Sequence, residues 1–505
     1  MRAARPVRVV RGPWHLPRRS IASAVPTIYA LATGPPPSAI SIVRIAGPLA
    51  KPLGDAMTRT HEWVPRQLVK RTLRHPCTRE ILDEALLAYF PPGQSFSGDA
   101  TLELHLHGSP AVVRDVLAAL TDARALFGSP LRPAMPGEFT RRAFEQGRLD
   151  LTACEALDAL LHAETSAQRR LAQQAGGGRQ AQLYEDLRTK LLRSMAHLEA
   201  MLDFSDEDDI DARLWDSVRA QVADLRAYLA KELQLDVPAA QRSYVDAAQH
   251  GVRVALYGRP NVGKSSLLNQ LVRRDAAIVS SHPGTTRDII EVSMELGGFR
   301  VTLADTAGLR ETHDEVEQLG MQRTHMYVDA ADLAVLVCTP DDWTSLPPAG
   351  PTFLTPHEVE RLGLRRASSA WAGVPDLILI NKMDTAPPAP LPTRHAGHPC
   401  YVWHASVAHA RGIDQVLEDL GAWVTQRYAT EARETPLVTQ ARHRHLLLDV
   451  VTCLDTFLAM PTDADIVVAA EELRRAAQLL GEITGHTLSS HDVLGEIFAR
   501  FCIGK

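Results

Sequence analysis

The segment GRPNVGKS at residues 258–265 restricts the fold of this chain more than any other feature. It follows the apolar run VRVALY, which begins at Val252, and it precedes SSLLNQLV, whose spacing predicts a helix. In this strand-to-helix setting, a GxxxxGK[ST] segment turns backbone N–H groups toward nucleotide phosphates at the positive end of the helix. Lys264 would reach the β and γ oxygens, and Ser265 would supply a ligand for Mg²⁺. The sequence therefore predicts a P-loop nucleotide-binding domain.

Two further segments extend the same prediction. DTAG at residues 305–308 ends an apolar strand, so Asp305 can hold Mg²⁺ through its water shell and the Gly308 amide can sense the γ-phosphate. In GTTRD, Thr285 and Thr286 are candidates for a switch that becomes ordered when that phosphate is present. The remaining candidate positions around the nucleotide are Asn261, Val262, Gly263, Ser266, Thr306, Ala307 and Ser406.

The segment NKMD at residues 381–384 predicts which base is bound, with Asn381 opening it after the apolar run LILI. Asp384 can accept hydrogen bonds from guanine N1–H and the exocyclic amine, while Lys382 lies along the purine. Adenine does not present those donors there. Because a site that leaves its polar group unpaired gives roughly 10⁴-fold discrimination, the segment predicts GTP rather than ATP.

The sequence leaves the group that activates water open. Leu309 follows DTAG at the place where Ras-like enzymes carry a Gln, and leucine cannot polarise water. Asp314, Glu315 and Glu317 are equal candidates by chemistry, and each is also consistent with a solvated loop acid. A cation must offset charge on the β–γ bridge. Asn261 would provide an oxygen for a monovalent cation there, or it merely caps the turn.

The rest of the chain predicts a multidomain protein of mixed class. Residues 38–47 and 101–107 read as strands of an α+β amino-terminal domain, and an α/β pattern runs from Val252 to near Thr425. Helical spacing occurs at 149–165, 183–202, 445–458 and 466–480, with a break at the glycines 176–178 and stop signals at Gly481 and Gly485. These helices predict either one bundle interrupted by the inserted domain or a separate carboxy-terminal helical domain.

Charge is distributed unevenly along the chain. Lys and Arg number 54 against 60 Asp and Glu, yet the first acidic residue is Asp55. The basic residues ahead of it include Arg2, Arg5, Arg8, Arg11, Arg18 and Arg19. This pattern predicts a mitochondrial transit peptide over residues 1–26; a basic tail that touches nucleic acid is the alternative. No run of 18 apolar residues occurs, which argues against a membrane span. The six cysteines lack a CxxC pair, which argues against a disulfide framework or zinc ribbon.

Together these segments resemble one family, the MnmE (TrmE) tRNA-modification GTPases in their mitochondrial form. The motifs that carry the resemblance are GRPNVGKSSLLN, GTTRD, DTAGLRETHDEVEQLG, NKMD, the terminal FCIGK, IVRIAG, FSGDATLELHLHG and PGEFTRRAFEQGRLDLTACEA. The resemblance spans residues 27–505. It implies a folate-binding, dimerising domain over 27–147, a discontinuous helical domain over 148–250 and 426–505, and an inserted Ras-like GTPase domain over 251–425.

The resemblance also implies roles for individual residues. The K⁺ ligand Asn261 would be joined by Ser280, His282 and Thr285, while Ser265 and Thr286 would bind Mg²⁺. Glu317 would be the acid that helps to orient the attacking water, a choice that the residues alone leave open. The positions that match the family's contacts to 5-formyl-tetrahydrofolate are Arg44, Glu103 and Arg148. Glu103 is also consistent with the polar face of its strand.

The implied reaction takes place in the mitochondrial matrix. A homodimer, with an MnmG-type FAD protein, would modify carbon 5 of the wobble uridine of mitochondrial tRNA, using a methylene-tetrahydrofolate carbon and an amine from glycine or taurine. Cys502 would act as a nucleophile, or it is a buried structural cysteine. The alternatives are an Era- or Der-type RNA-binding GTPase switch in ribosome assembly and a GTP-sensing scaffold that does not turn over GTP.

Overall fold

The chain forms two compact units in the computed structural model, Met1–Leu149 with Ser490–Lys505, and Asp150–Ser489. The structure describes residues 25–127, 131–203, 208–235, 243–259, 261–272, 277–278, 291–305, 331–341, 377–385, 401–428, 436–461, 466–486, 494 and 497–504. The predicted transit segment lies outside these residues apart from its last two positions. Each unit is considered by itself below.

The first unit is built on a six-stranded sheet in the order β3-β4-β5-β2-β1-β6. All neighbours are antiparallel except β1 and β6. The strands are β1 (Thr27–Leu31), β2 (Ile40–Ala46), β3 (Val69–Arg74), β4 (Ile81–Phe90), β5 (Thr101–His107) and β6 (Leu131–Pro133). The helices are α1 (Ala50–Thr58), α2 (Pro110–Asp122), α3 (Arg124–Phe127) and α4 (Glu138–Glu145). The two strands predicted from sequence in this region are confirmed as β2 and β5.

Alternation along β2 and β5 decides which face of this sheet is covered. Val43 and Leu104 point into a core shared with Leu53 of α1 and Val116 of α2, and all four are fully buried. Successive strand residues face opposite sides, so Arg44 and Glu103 lie on the other face, where the register pairs them. The polar residues of the alternating pattern therefore meet on one surface.

The carboxy-terminal residues belong to this same unit. Phe498 packs against Phe144 of α4 with ring centroids 6.3 Å apart. Gly504 has a φ of 100° and lies so close to β1 that an added Cβ would overlap the carbonyl oxygen of Leu31. Only glycine fits that combination of dihedral angle and contact.

The second unit contains a helical bundle made from both sides of the nucleotide-binding segment. Its helices and those that precede the nucleotide-binding sheet are α5 (Leu151–Leu161), α6 (Ser166–Gly176), α7 (Arg179–Asp203), α8 (Asp208–Glu232) and α9 (Tyr244–His250); α12 (Ala441–Ala459) and α13 (Ile466–Thr484) follow it. Leu191 of α7, Val218 of α8, Leu447 of α12 and Leu473 of α13 share one core and are fully buried. The prediction of a single interrupted bundle is thus confirmed.

Two details of the helical prediction need correction. Gly481 does not stop α13, which continues to Thr484, because Gly481 is buried against its neighbours and the packed face outweighs the roughly 1 kcal/mol that glycine costs. Gly485, with a φ of 88°, follows the last helical residue instead. The helix predicted over 149–165 ends at Leu161, and Thr165 begins a new helix, α6, through a capping box with Gln168. The break predicted at 176–178 is confirmed.

The nucleotide-binding segment forms a seven-stranded sheet in the order β13-β12-β11-β7-β10-β9-β8. Strands from β13 to β10 run parallel, and β9 is antiparallel to β10 and β8. The strands are β7 (Val252–Tyr257), β8 (Ala277–Ile278), β9 (Glu291–Leu296), β10 (Phe299–Asp305), β11 (Leu333–Cys338), β12 (Leu377–Ile380) and β13 (Tyr401–His404); the helices are α10 (Lys264–Val272) and α11 (Ile413–Tyr428). Ala167 of α6 and Tyr244 of α9 are buried in the core of this sheet. The strands predicted at VRVALY, before DTAG and at LILI are confirmed as β7, β10 and β12.

None of the helices in the described parts of the chain combines the length and the apolar character that crossing a membrane requires.

Candidate functional site

The phosphate loop leaves the central strand β7 through two glycines that other residues could not replace. Gly258 has a φ of 137°, and an added Cβ would overlap the carbonyl oxygen of Val337. Gly263 has a φ of 104°, and an added Cβ would overlap Nδ2 of Asn381. Both positions therefore need glycine for its dihedral freedom and its lack of a side chain.

The loop encloses its lysine. Lys264 is 4% exposed, and its Nζ donates hydrogen bonds to the carbonyl oxygens of Gly258 and Arg259, each at 2.8 Å. Val262 is buried beside it, whereas Ser265 and Ser266 are exposed in the first turn of α10. The lysine charge is thus held inside the loop, with the two hydroxyl residues at the surface where a nucleotide can reach them.

Asn381 connects this loop to the base-recognition segment. Its Nδ2 donates to the carbonyl oxygen of Val262 at 2.8 Å, and its Oδ1 accepts from the backbone N–H of Val407 at 3.0 Å. Because Asn381 is 3% exposed, water cannot replace these bonds. The candidate phosphate and base segments are therefore held in register by one side chain.

Ser406 and Asp384, which are 22 residues apart in the chain, meet beside Asn381. The Ser406 hydroxyl donates to Oδ1 of Asp384, and this hydrogen bond is the main cause that lowers the pKa of Asp384. His409 Nδ1 lies 3.1 Å from Ser406 Oγ. Lys382 is exposed with a φ of 62°. The arrangement keeps an ionised carboxylate in the position predicted to accept the guanine donors.

Several predicted nucleotide residues lie outside the described residues. They are Ser280, His282, Thr285, Thr286, Thr306, Ala307, Gly308 and Glu317. Asp305 is the last residue of β10, where the register places it next to Leu256 of β7. Asn261 is exposed and has a φ of 62°. Among the described candidates, Ser265 and Asn261 offer hydroxyl and amide oxygens, ligands that suit Mg²⁺ and K⁺ as hard cations.

A second cluster of predicted residues lies on the open sheet face of the first unit. Arg44 Nε donates to Oε1 of Glu103 at 3.0 Å, and both side chains are 18% exposed. The Arg44 guanidinium also lies 5.9 Å from the ring centroid of Phe96 and 5.7 Å from that of Phe139. Glu103 thus forms a half-buried ion pair flanked by aromatic rings on the polar face of its strand.

Arg148 and the carboxy-terminal tail border the same cluster. Arg148 Nη1 donates to the carbonyl oxygen of Gly93 at 2.8 Å, in the loop that also carries Phe96. Arg44 Nη1 lies 3.5 Å from the carbonyl oxygen of Gly504. The structure thus brings Arg44, Glu103 and the FCIGK tail together, with Arg148 on the adjacent loop.

The cysteines differ in their surroundings. Cys502 is exposed, so the alternative that it is a buried structural cysteine is wrong, while its role as a nucleophile stays a prediction. By contrast, burial raises the pKa of Cys154 to about 12, which makes it an unreactive thiol. Within the described parts of the chain, no cluster of three or more His, Cys, Asp or Glu side chains has the geometry of a metal site.

Two family models match the chain. The model described as "GTP-binding protein TrmE N-terminus" matches residues 27–148, and the one described as "MnmE helical domain" matches residues 151–502. Between them these matches take in almost all of the described structure.

Curated relatives match over nearly the same length. A "tRNA modification GTPase MnmE" from Rhodopseudomonas palustris is 40% identical over 479 residues, which cover 95% of this chain and 99% of the relative. The "5-taurinomethyluridine-[tRNA] synthase subunit GTPB3, mitochondrial" of Danio rerio is 37% identical over 486 residues, which cover 95% of this chain and 93% of the relative. The protein of the same name from Rattus norvegicus is 37% identical over 487 residues, with the same coverage.

Proposed function

The chain belongs to the MnmE family and is a GTPase that acts in tRNA modification. From this premise we propose its activating cation, its partners and the reaction it carries out. It is a K⁺-activated GTP hydrolase that works as a homodimer with an MnmG-type FAD protein. It modifies carbon 5 of the wobble uridine of mitochondrial tRNAs with a one-carbon unit from tetrahydrofolate. A ribosome-assembly switch of the Era or Der type is not supported, because an amino-terminal domain of the TrmE type precedes the GTPase segment.

The observation that carries this proposal is the meeting of Arg44 with Glu103 and with Gly504. Folate offers carboxylates and a pterin ring with amine donors. A guanidinium such as that of Arg44 suits the folate carboxylates, and a carboxylate such as that of Glu103 suits the pterin amine donors. The rings of Phe96 and Phe139 beside Arg44 add a flat apolar surface. The donor set fits 5-formyl- or methylene-tetrahydrofolate, which would supply the carbon next to the tail that carries Cys502.

The nucleotide site supports GTP hydrolysis by residues of this chain. Lys264 binds phosphate oxygens, Asp384 binds guanine, and Asn381 holds both segments in place. Ser265 and Thr286 would bind Mg²⁺, and Asn261 would bind K⁺ together with Ser280, His282 and Thr285. A bound K⁺ supplies positive charge at the β–γ bridge. Glu317 orients the attacking water. The role of Glu317 and the K⁺ ligand set rest on the family resemblance.

A mitochondrial location is supported from two sides. The names of the relatives from Danio rerio and Rattus norvegicus include the word mitochondrial. In addition, basic residues dominate the first 19 positions, where no acid occurs. We therefore place the protein in the mitochondrial matrix, where the tRNA substrate would also be found.

Mass spectrometry of the wobble nucleoside tests the reaction directly. Mitochondrial tRNA from cells with and without this protein would be compared, and the mass added to uridine would distinguish a glycine from a taurine donor. We expect the substituent at carbon 5 to disappear without the protein. Unchanged nucleosides in the deletion would refute the proposed reaction.

GTP turnover in matched K⁺ and Na⁺ buffers tests the cation. We expect turnover to be faster in K⁺ by about tenfold or more. The smaller Na⁺ fits the same oxygens less well, so the site would lack a cation more of the time and the barrier to hydrolysis would be higher. Equal rates in the two salts would contradict the role of K⁺. Glu317→Gln should lower kcat, whereas the neighbouring Glu315→Gln serves as the control and should not.

A further inference from the structure

A buried charged cluster lies in the helical bundle. Glu155 of α5 accepts hydrogen bonds from Arg442 Nε at 2.7 Å and Nη2 at 2.9 Å. His443 Nε2 lies 2.7 Å from the same carboxylate. Glu155 is 8% exposed and His443 is fully buried. Glu155 lies within the motif PGEFTRRAFEQGRLDLTACEA, whereas no quoted motif contains Arg442 or His443.

Stability alone does not account for this cluster. A buried ion pair is often no more stabilising than apolar residues of the same volume, whereas removal of one partner costs about 3–5 kcal/mol. Arg442 and His443 also stand in the first turn of α12, where the helix dipole disfavours cations and no acidic side chain occurs. The arrangement gives the surrounding helices a fixed register instead.

Arg442 also binds the end of another helix. Its Nη1 donates to the carbonyl oxygen of Glu482 at 3.1 Å, and its Nη2 donates to that of Ile483 at 2.9 Å. Both carbonyls belong to the last turn of α13. One guanidinium therefore joins α5 to the carboxyl end of α13.

The residues just before α12 are fixed to two further helices. Gln180 of α7 donates from Nε2 to the carbonyl oxygen of Leu437 at 3.0 Å, and its Oε1 accepts from Thr439 Oγ1 at 3.1 Å. Gln249 of α9 donates to the carbonyl oxygen of Thr439. α9 ends one residue before Gly251, and β7 and the phosphate loop follow.

These contacts lie where three connections of the chain come together. α5 begins three residues after Arg148 of the candidate folate site, and α12 receives the chain that returns from the nucleotide-binding segment. After α13 the chain continues toward the tail that contains Cys502. We propose that the Glu155–Arg442–His443 cluster is the joint that couples GTP turnover to tRNA modification, with Glu155 and Arg442 as positioning residues. This inference rests on the proposed use of the amino-terminal domain and tail in modification.

One outer contact of the nucleotide-binding sheet is weaker than those of the cluster. Arg300 Nη1 lies 3.5 Å from Glu164 Oε2, and the two side chains are 27% and 50% exposed. Exposed pairs of this kind contribute about 1 kcal/mol or less. A cavity of about 670 Å³ is lined by residues of α5, α6, α8 and α9 and of the 436–444 segment. Because Ala167 of α6 and Tyr244 of α9 are buried in the core of this sheet, these helices would carry a movement of the sheet toward the cluster.

The test measures modification and GTP turnover together in the full-length protein with its flavoprotein partner and tRNA. The first variant is Glu155→Gln. The double variant Glu155→Gln/Arg442→Met removes both charges, so neither is left buried without its partner, and its Tm should fall less than that of Glu155→Gln. We expect GTP turnover within about twofold of wild type in both. Modification per GTP hydrolysed should fall by about tenfold, as for a coupling free energy of ordinary size.

The control variant is Asp455→Asn, which breaks the exposed ion pair with Arg226 between α8 and α12 of the same bundle. It should leave modification per GTP unchanged. Wild-type modification per GTP in the double variant would overturn the inference. It would also be overturned if GTP turnover and modification fell by the same factor, in proportion to the loss of Tm. A wild-type protein that hydrolyses GTP but does not modify tRNA would overturn the proposed function and the inference with it.

Discussion

Asn381 illustrates how a single amide can organise the nucleotide site. The NKMD motif predicts that Asp384 and Lys382 meet the base, but the motif itself does not say what Asn381 binds. In the structure it is the buried link between Val262 and Val407, two residues more than 140 positions apart in the chain. The sequence predicts the residue types of the site, while the partners depend on the order of strands in the sheet.

Asn381→Ala should weaken both nucleotide binding and folding. The variant leaves the Val262 carbonyl and the Val407 N–H buried without partners, at a cost of about 1–3 kcal/mol for each group. We expect a lower Tm and an affinity for GTP reduced by about tenfold or more, measured by thermal unfolding and titration of a fluorescent GTP analogue. Thr385→Ala is the matched control, because the exposed Thr385 hydroxyl donates to the carbonyl oxygen of Lys382 in the same loop. Equal GTP affinity in the two variants would contradict the linking role.

Glu155 should make stability depend on acid pH. Burial by itself would raise the pKa of Glu155, but hydrogen bonds from His443 and Arg442 lower it to about 2 from an ordinary 4.5. The carboxylate therefore stabilises the fold fully above about pH 5, and this contribution of about 3 kcal/mol is lost as the pH falls toward 2. Urea unfolding of wild type and Glu155→Gln across this range should show the difference between them shrinking. A difference that stays constant with pH would contradict the lowered pKa.

At the scale of elements, the glycine and capping residues differ in how well they predict where a helix starts or ends. Gly485 ends α13 because its positive φ suits a helix stop, whereas Gly481 is absorbed by the packed face of the helix. Helical spacing alone does not separate α6 from α5, although the TxxQ signature from Thr165 to Gln168 marks the start of α6. Local signals predict where a helix can end; burial of its face decides whether it does.

Thr165→Ala should loosen α6. The Thr165 hydroxyl accepts a hydrogen bond from the backbone N–H of Gln168. In return, the side-chain oxygen of Gln168 accepts hydrogen bonds from the backbone N–H groups of Glu164 and Thr165. Loss of this capping box costs about 1 kcal/mol, so amide hydrogen exchange in α6 should become about fivefold faster. Ser166→Ala, at an exposed position one residue later, should change it little. If both variants exchange alike, the cap does not hold the helix.

At the scale of the whole molecule, the sequence predicts the interrupted bundle and the inserted sheet, because each has its own periodicity. It does not predict that Gly504 lies against β1, or that Arg442 joins α5 to α13, since contacts between residues tens to hundreds of positions apart leave no periodic signal. The resemblance to a known family supplied the candidates Arg44 and Glu103. Their pairing through the β2–β5 register came only with the structure.

A chain that stops at residue 428 should keep GTP binding and lose the bundle. It retains the nucleotide-binding sheet but lacks α12 and α13, so Leu191 and Val218 lose their partners in the shared core. We expect α7 and α8 to be cut quickly in limited proteolysis, while GTP binding protects residues 252–428. The full-length protein is the control. Resistance of α7 and α8 equal to that of the full chain would show that they fold without the later helices.

The interruption of the bundle also delays its assembly during synthesis. The apolar faces of α7 and α8 emerge first, and their partners in α12 and α13 follow only after roughly 200 more residues, which at ordinary translation rates takes about 10–40 s. During that delay the inserted segment can fold while the unfinished helices expose leucines to the surroundings. The nascent protein is therefore a natural client for chaperones, and its yield should depend on them more than its final stability suggests.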